Sequence, residues 1–172
     1  VVELFPSTRV HIGGDEAPKV RWEACPKCNA RIAEEGLDDA HDLQRWFIEQ
    51  MGEHLATHGR TIVGWDEILE GGLPRGATVQ SWRGMAGAEQ GVALGADVVV
   101  SPTSHCYLDY PLRSTDLEEV YSFDPAPPAL QGGPGHVLGG ECNMWSEHAP
   151  EHLVDSKVYP RAIGLAEVLW SG

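Results

Sequence analysis

The chain has 172 residues, 42% of them hydrophobic, which suits one globular domain with its own core and argues against disorder. Twelve Lys and Arg against 26 Asp and Glu give a formal net charge of -14, which repels nucleic acid and anionic membranes and favours a neutral partner. No apolar run is long enough to span a bilayer, and VVELFPSTRV at the start lacks the basic and apolar blocks of a signal peptide. Without an initiating Met the chain reads as a piece of a longer protein, with its compartment left open.

In chain order, TRVHIGG reads as a strand, followed by a polar loop through APKVRWEACPKCNARIAEEGL. From Asp38 to His58, Leu43, Trp46, Phe47, Met51 and Leu55 recur at helical spacing, with Asp38 or Asp39 as cap and Gly59 as stop. RTIVGWDE and ATVQSWRG read as the next strands, AGAEQGVALG as a short helix closed by Gly95, and ADVVVSP as a fourth strand. A Pro-rich irregular stretch runs from Tyr107 to Pro134 with one helical turn around STDLEEVY. HVLGGECNMWSE gives a fifth strand, and YPRAIGLAEVLWS a closing helix with Pro160 near its first turn.

Strands alternating with helices or long connections argue for parallel β/α units. No G-x-G-x-x-G opens a helix after a strand, so the doubly wound nucleotide fold is not indicated. The expected fold is α/β of the (β/α)8 TIM-barrel type. Such a barrel needs about 250 residues, so the chain supplies only the later units, about strands 4 to 8, with the N-terminal strands absent. Residues 1–172 are then the C-terminal part of a single catalytic barrel domain.

In a barrel, chemistry gathers where strands end. Here those ends carry GGDE, GWDE, QSW and MWSE, with YLDY just beyond the fourth strand. Each joins an acid or amide to an aromatic. A pyranose offers a C–H face to rings and hydroxyl edges to carboxylates, so the recurrence points to a carbohydrate site rather than to scattered core tryptophans. The adjacent Asp15 and Glu16 repel each other, and one then holds its proton more tightly. That suits an acid and its ionised neighbour, whose pKa values repulsion and partial burial are expected to push apart.

HIGGDEAP, GWDE, QSWRG, YLDY, MWSEH and PRAIGLAEVLWS resemble, in order, the motifs of glycoside hydrolase family 20, the β-N-acetylhexosaminidases. The resemblance implies an exo-acting hydrolase that removes terminal N-acetylhexosamine, GlcNAc or GalNAc, from β-glycosides. Its retaining mechanism is substrate-assisted: the 2-acetamido oxygen attacks the anomeric carbon, and no carboxylate nucleophile is needed. By resemblance, Glu16 is the general acid and later base, Asp15 orients and stabilises the acetamido group, and Tyr107 hydrogen-bonds its oxygen. Trp65 and Trp82 resemble the walls of the acetamido pocket, Asp109 a hydroxyl or supporting contact, Trp145 the platform under the ring, and Glu147 the acid that binds the 4- and 6-hydroxyls. No cofactor is implied. Glu141 and Cys142 stand where many relatives have Gln and Ala. The family's sugar-gripping arginine and supporting Asp and His come from earlier strands without counterpart here, so the chain alone is expected to be weak or inactive.

The remaining motifs read as structural. His54 and His58 lack the glutamate of a zinc-protease helix, Pro150 interrupts His148 and His152, and His11 reads as a core or supporting residue. Asp66 and Glu67 read as supporting, with Glu67 the better candidate for contact. Cys25 and Cys28 in CPKC could be a local disulfide, a metal half-site or two thiols; a zinc site lacks its second half, and Cys106 and Cys142 read as small buried residues. No metal is expected. Two alternatives stay open: a non-catalytic sugar-binding or structural half-barrel, which could homodimerise to cover its open edge, and a conventional retaining glycosidase using Glu16 and Glu147.

Overall fold

A computed structural model describes residues 1–171. The chain divides into two compact units, Val1–Val79 and Gln80–Gly172.

In the first unit, β1 (Arg9–His11) pairs in parallel with β2 (Thr61–Trp65), Val10 opposite Ile62. Parallel neighbours need a crossover, here made of α1 (Val20–Glu23), α2 (Pro26–Glu35) and α3 (Ala40–Ala56). Asp39 caps α3 by accepting from the amides of His41 and Asp42 at 2.7 and 3.0 Å. Leu43, Ile48 and Leu55 on that helix enter the core with Ile62, Ile68 and Leu69.

The segment expected as a polar loop holds α1 and α2 instead. Pro26 in its first turn is pre-set for the helix, and Gly36, with φ of 66°, ends it while the Leu37 amide bonds back to the Ile32 carbonyl at 2.9 Å. None of its residues is buried. The helix is polar on average even though its residues segregate at helical spacing, and that polarity is why composition suggested a loop.

β3 (Thr78–Ser81) spans the junction in sequence. In the second unit come α4 (Ala86–Ala93), β4 (Asp97–Val100), α5 (Thr103–Cys106), α6 (Leu117–Tyr121), β5 (His136–Gly140), α7 (Val154–Val158) and α8 (Arg161–Ser171). β4 and β5 are parallel, with a shift of register between Val98 and Val99. Val98, Val100, Cys106, Leu108, Val120 and Leu165 are fully buried.

The helical turn expected near STDLEEVY is α6, capped by Asp116 accepting from the Glu119 amide at 2.9 Å. Two differences follow the Pro-rich stretch. β5 stops at Gly140 rather than running to Glu147, and pairing beyond it shrinks to one bridge between Tyr107 and Asn143. α7, short and without a buried residue, was not anticipated.

Candidate active site

Every expected site residue lies at or beyond the carboxyl end of a strand, where parallel sheets bind ligands. After β1 the backbone passes through Gly13 and Gly14, at φ of 77° and 101°, and reaches Glu16 at φ of 44°. Among the described residues Glu16 is the only non-glycine with positive φ. A glutamate in that region stores strain that its surroundings must hold.

Those surroundings are specific. The Gly13 amide donates to His11 Nδ1 at 3.1 Å, and the Trp65 amide donates to the Gly13 carbonyl at 3.0 Å. A Cβ on Gly14 would lie 2.8 Å from Ile68 Cγ2, and one on Gly64 would lie 2.5 Å from the same atom and 3.0 Å from the Gly13 carbonyl. The two glycines therefore let the DE-bearing loop lie close on β2 and the turn after it. From α3, Gln44 Nε2 donates to the Gly14 carbonyl at 2.8 Å. Lys19 Nζ donates to Gln44 Oε1 and to the Ala17 carbonyl. Asp15 and Glu16 themselves are exposed, so the partial burial expected of the pair is absent.

Trp65 ends β2 and is buried; the His11 ring meets it edge-on at 4.9 Å. Asp66 and Glu67 are buried in the short 3-10 turn Asp66–Leu69, in keeping with a supporting role. His11 braces both the loop and Trp65.

In the second unit, Trp82 lies one residue past β3, and its carbonyl accepts from the Thr103 amide at 2.9 Å. Its ring stacks on Tyr107, with centroids 6.2 Å apart and planes at 26°. Tyr107 is held by a strand-like bridge: the Leu108 amide donates to the Asn143 carbonyl and the Asn143 amide to the Cys106 carbonyl, both at 2.8 Å. Asp109 is 2% exposed. Trp145 and Glu147 lie exposed beyond β5.

Two basic residues fix the Tyr107–Asp109 segment. Arg161, 1% exposed, donates to the carbonyls of Leu108, Thr115 and Lys157. Lys157 Nζ donates to the carbonyls of Asp109 and Tyr110. Burial draws the Arg161 guanidinium below its usual range, and the Asp109 carboxylate draws it back up. The Cys106 thiol is pushed up to about 12 by burial, and Cys142 is raised for the same reason. Neither is a ready nucleophile at neutral pH.

Lys19, Gln44, Lys157 and Arg161 were not singled out in the sequence. Two signals were there: Gln44 follows Leu43 on a buried helix face, and Arg161 puts a cation at a helix N-terminus, where the helix dipole disfavours it. Among the described residues, no three His, Cys, Asp or Glu side chains gather as metal ligands do, and no helix is long and apolar enough to cross a membrane.

The chain's relatives can be set beside this geometry. The profile of the "Glycosyl hydrolase family 20, catalytic domain" matches residues 1–172. A β-hexosaminidase of Porphyromonas gingivalis is 42% identical over 99% of the chain, which covers 24% of that protein. One of Akkermansia muciniphila is 32% identical over 98% of the chain and 37% of its own length. Among solved structures, a chitobiase of Flavobacterium johnsoniae gives a TM-score of 0.84 at 35% identity, over 99% of this chain and 27% of that one. A family 20 exo-β-N-acetylglucosaminidase of Vibrio harveyi, solved with N-acetylglucosamine, gives 0.87 at 26% identity over 98% of this chain and 29% of that one. The chain thus spans between about a quarter and two-fifths of the relatives it matches, and its parallel β/α units are part of their barrel. On this match of sequence and fold, the chain belongs to glycoside hydrolase family 20.

Proposed function

We propose that the protein containing this chain is an exo-acting β-N-acetylhexosaminidase, and that residues 1–172 are the C-terminal part of its single catalytic barrel. The observation that carries this reading is the Asp15–Glu16 pair, set after the end of β1 on a backbone strained at Glu16 and clamped by Gln44, Gly64 and Trp65. A fold spends such strain where a side chain must be aimed.

In the proposed reaction, Glu16 gives its proton to the glycosidic oxygen as the bond to the anomeric carbon breaks. The substrate's acetamido oxygen closes on that carbon, and Asp15 orients the amide and balances its developing positive charge. Glu16, now ionised, takes a proton from the water that opens the bicyclic intermediate and restores the β-configuration. Tyr107 donates to the acetamido oxygen, with Trp65 and Trp82 as apolar walls around its methyl group. The stacking of Trp82 on Tyr107 supports joint use of those two residues. Asp109 supports the pocket, Trp145 offers a platform for the ring, and Glu147 accepts from the 4- and 6-hydroxyls.

Inhibition of the full-length protein by an acetamido-thiazoline, a mimic of the bicyclic intermediate, tests the substrate-assisted step. Tight competitive inhibition is expected. Absence of inhibition would favour a carboxylate nucleophile, with Glu147 the candidate.

For the 172-residue chain by itself we infer a second property. Leu138 on β5 and Ile163 and Trp170 on α8 are 47%, 59% and 93% exposed, and apolar surface of this kind favours a homodimer that covers it. A monomer at every concentration in ultracentrifugation would contradict the dimer. Sugar binding without turnover in the full-length protein would favour the non-catalytic alternative.

A further inference from the structure

Cys25 and Cys28 have no part in the hydrolytic site. Cys25 stands at the N-cap of α2 with extended backbone, φ of -90° and ψ of 117°; Pro26 fills the first turn and Cys28 lies within it. One turn of helix thus gathers both sulfurs at the same end. Both are free thiols and partly exposed.

The two sulfurs are unequal. The Cys28 amide and thiol and the Lys27 amide lower the pKa of Cys25, while the interaction with Cys25 raises that of Cys28. Beside them is a groove of about 380 Å³ lined by Trp22, Lys27, Cys28, Leu43, Trp46 and Phe47, among others. Cys28 therefore borders a space that a small molecule can enter. The other two cysteines differ: Cys106 is fully buried and Cys142 sits in surroundings that suppress its ionisation. A zinc site needs more ligands than this pair, and among the described residues no third His, Cys, Asp or Glu joins it.

We propose that Cys25 and Cys28 form a thiol–disulfide exchange site whose co-substrate is the disulfide of a small thiol. The Cys25 thiolate attacks one sulfur of that disulfide. A mixed disulfide forms and the first small thiolate leaves, taking a proton from water. Cys28 then gives up its proton and attacks the Cys25 sulfur, expelling the second small thiolate. The Cys25–Cys28 bond is made, the protein dithiol is oxidised by two electrons, and the co-substrate is reduced to two thiols. The first attack falls to Cys25 because it stands at the N-cap, ahead of the first amides of α2, and resolution falls to its neighbour in the same turn.

The test treats the reduced full-length protein with oxidised glutathione and maps the product by peptide mass spectrometry, a readout independent of glycoside turnover. The wild type is expected to yield a peptide lighter by two hydrogens that dithiothreitol restores. Cys28→Ser is expected to stop at a glutathionyl adduct on Cys25, and Cys25→Ser to form no internal disulfide. Native alkylation by iodoacetamide at pH 7 is expected to be ~100-fold faster at Cys25 than at Cys106. Free thiols at both positions after glutathione disulfide treatment would overturn the proposal, as would an adduct in Cys28→Ser on any cysteine other than Cys25.

Discussion

The Arg161 guanidinium, at the start of α8, donates to the carbonyl of Leu108, next to Tyr107. A helix terminus 53 residues away in sequence thus holds the segment that presents two expected site residues. The same guanidinium reaches Thr115 at 2.5 Å, so two turns of the Pro-rich stretch hang from one side chain.

Arg161→Met keeps most of the volume but leaves buried carbonyls without donors. An unmet buried polar group costs roughly 1–3 kcal/mol, and a loss of about 2–5 kcal/mol in the full-length protein is expected from this variant. Urea denaturation measures it. A change below about 0.5 kcal/mol would mean that the loop is held by other contacts.

Gln44→Leu removes the bond to the Gly14 carbonyl and takes from Lys19 Nζ one of its two acceptors, leaving it the Ala17 carbonyl. The stability cost is expected at about 1–2 kcal/mol. The larger effect should fall on kcat, by about tenfold or more, because the loop that aims Glu16 loses its anchor. Steady-state kinetics on an aryl N-acetyl-β-glucosaminide separates the two: a rise in KM alone would place Gln44 in binding rather than in positioning.

Gly64→Ala forces a methyl group against Ile68 and the Gly13 carbonyl. Overpacking of this kind costs about 1–3 kcal/mol, and the displaced loop carries Asp15 and Glu16, so activity should fall more than stability. The measurement is paired: thermal melting and turnover on the same preparation. Unchanged values in both would show that the close approach of the two glycine positions is not needed.

The cap of α3 gives a pH prediction. The amides of Asp42 and His41 hold the Asp39 carboxyl below its ordinary 3.8. Because the folded value is the lower one, the stabilisation is present above that ordinary value and is lost as pH falls through the folded value. Asn caps about as well but carries no charge. The Tm advantage of wild type over Asp39→Asn should therefore be flat near neutrality and shrink as the solution is acidified below about pH 4. An advantage independent of pH would contradict the assignment.

How far the sequence could be read depended on which signal each element left. α3 was visible because Leu43 and Leu55 sink on one face below a capping aspartate, and β2 and β4 because their Val and Ile runs end in glycine or proline. α2 did carry a proline start and a glycine stop, but its polar composition masked them and no residue of it is buried, and β5 was drawn too long because only one bridge forms beyond Gly140. At the site, the residues expected to meet a sugar were legible from strand ends and motifs. Their scaffold was not: Gln44, Lys157 and Arg161 act on main-chain carbonyls, and a carbonyl contact leaves no pattern in side-chain types. The strain at Glu16 was also hidden, because only the backbone angle shows it.

Replacement of Glu16 by Gln in the full-length protein, assayed on an N-acetyl-β-glucosaminide with a poor leaving group, tests the central claim most directly. The account predicts a fall of about 10²–10⁴ in kcat/KM, smaller for an aryl substrate whose leaving group needs no proton. Turnover equal to wild type on the poor leaving group would contradict it and remove Glu16 as the acid.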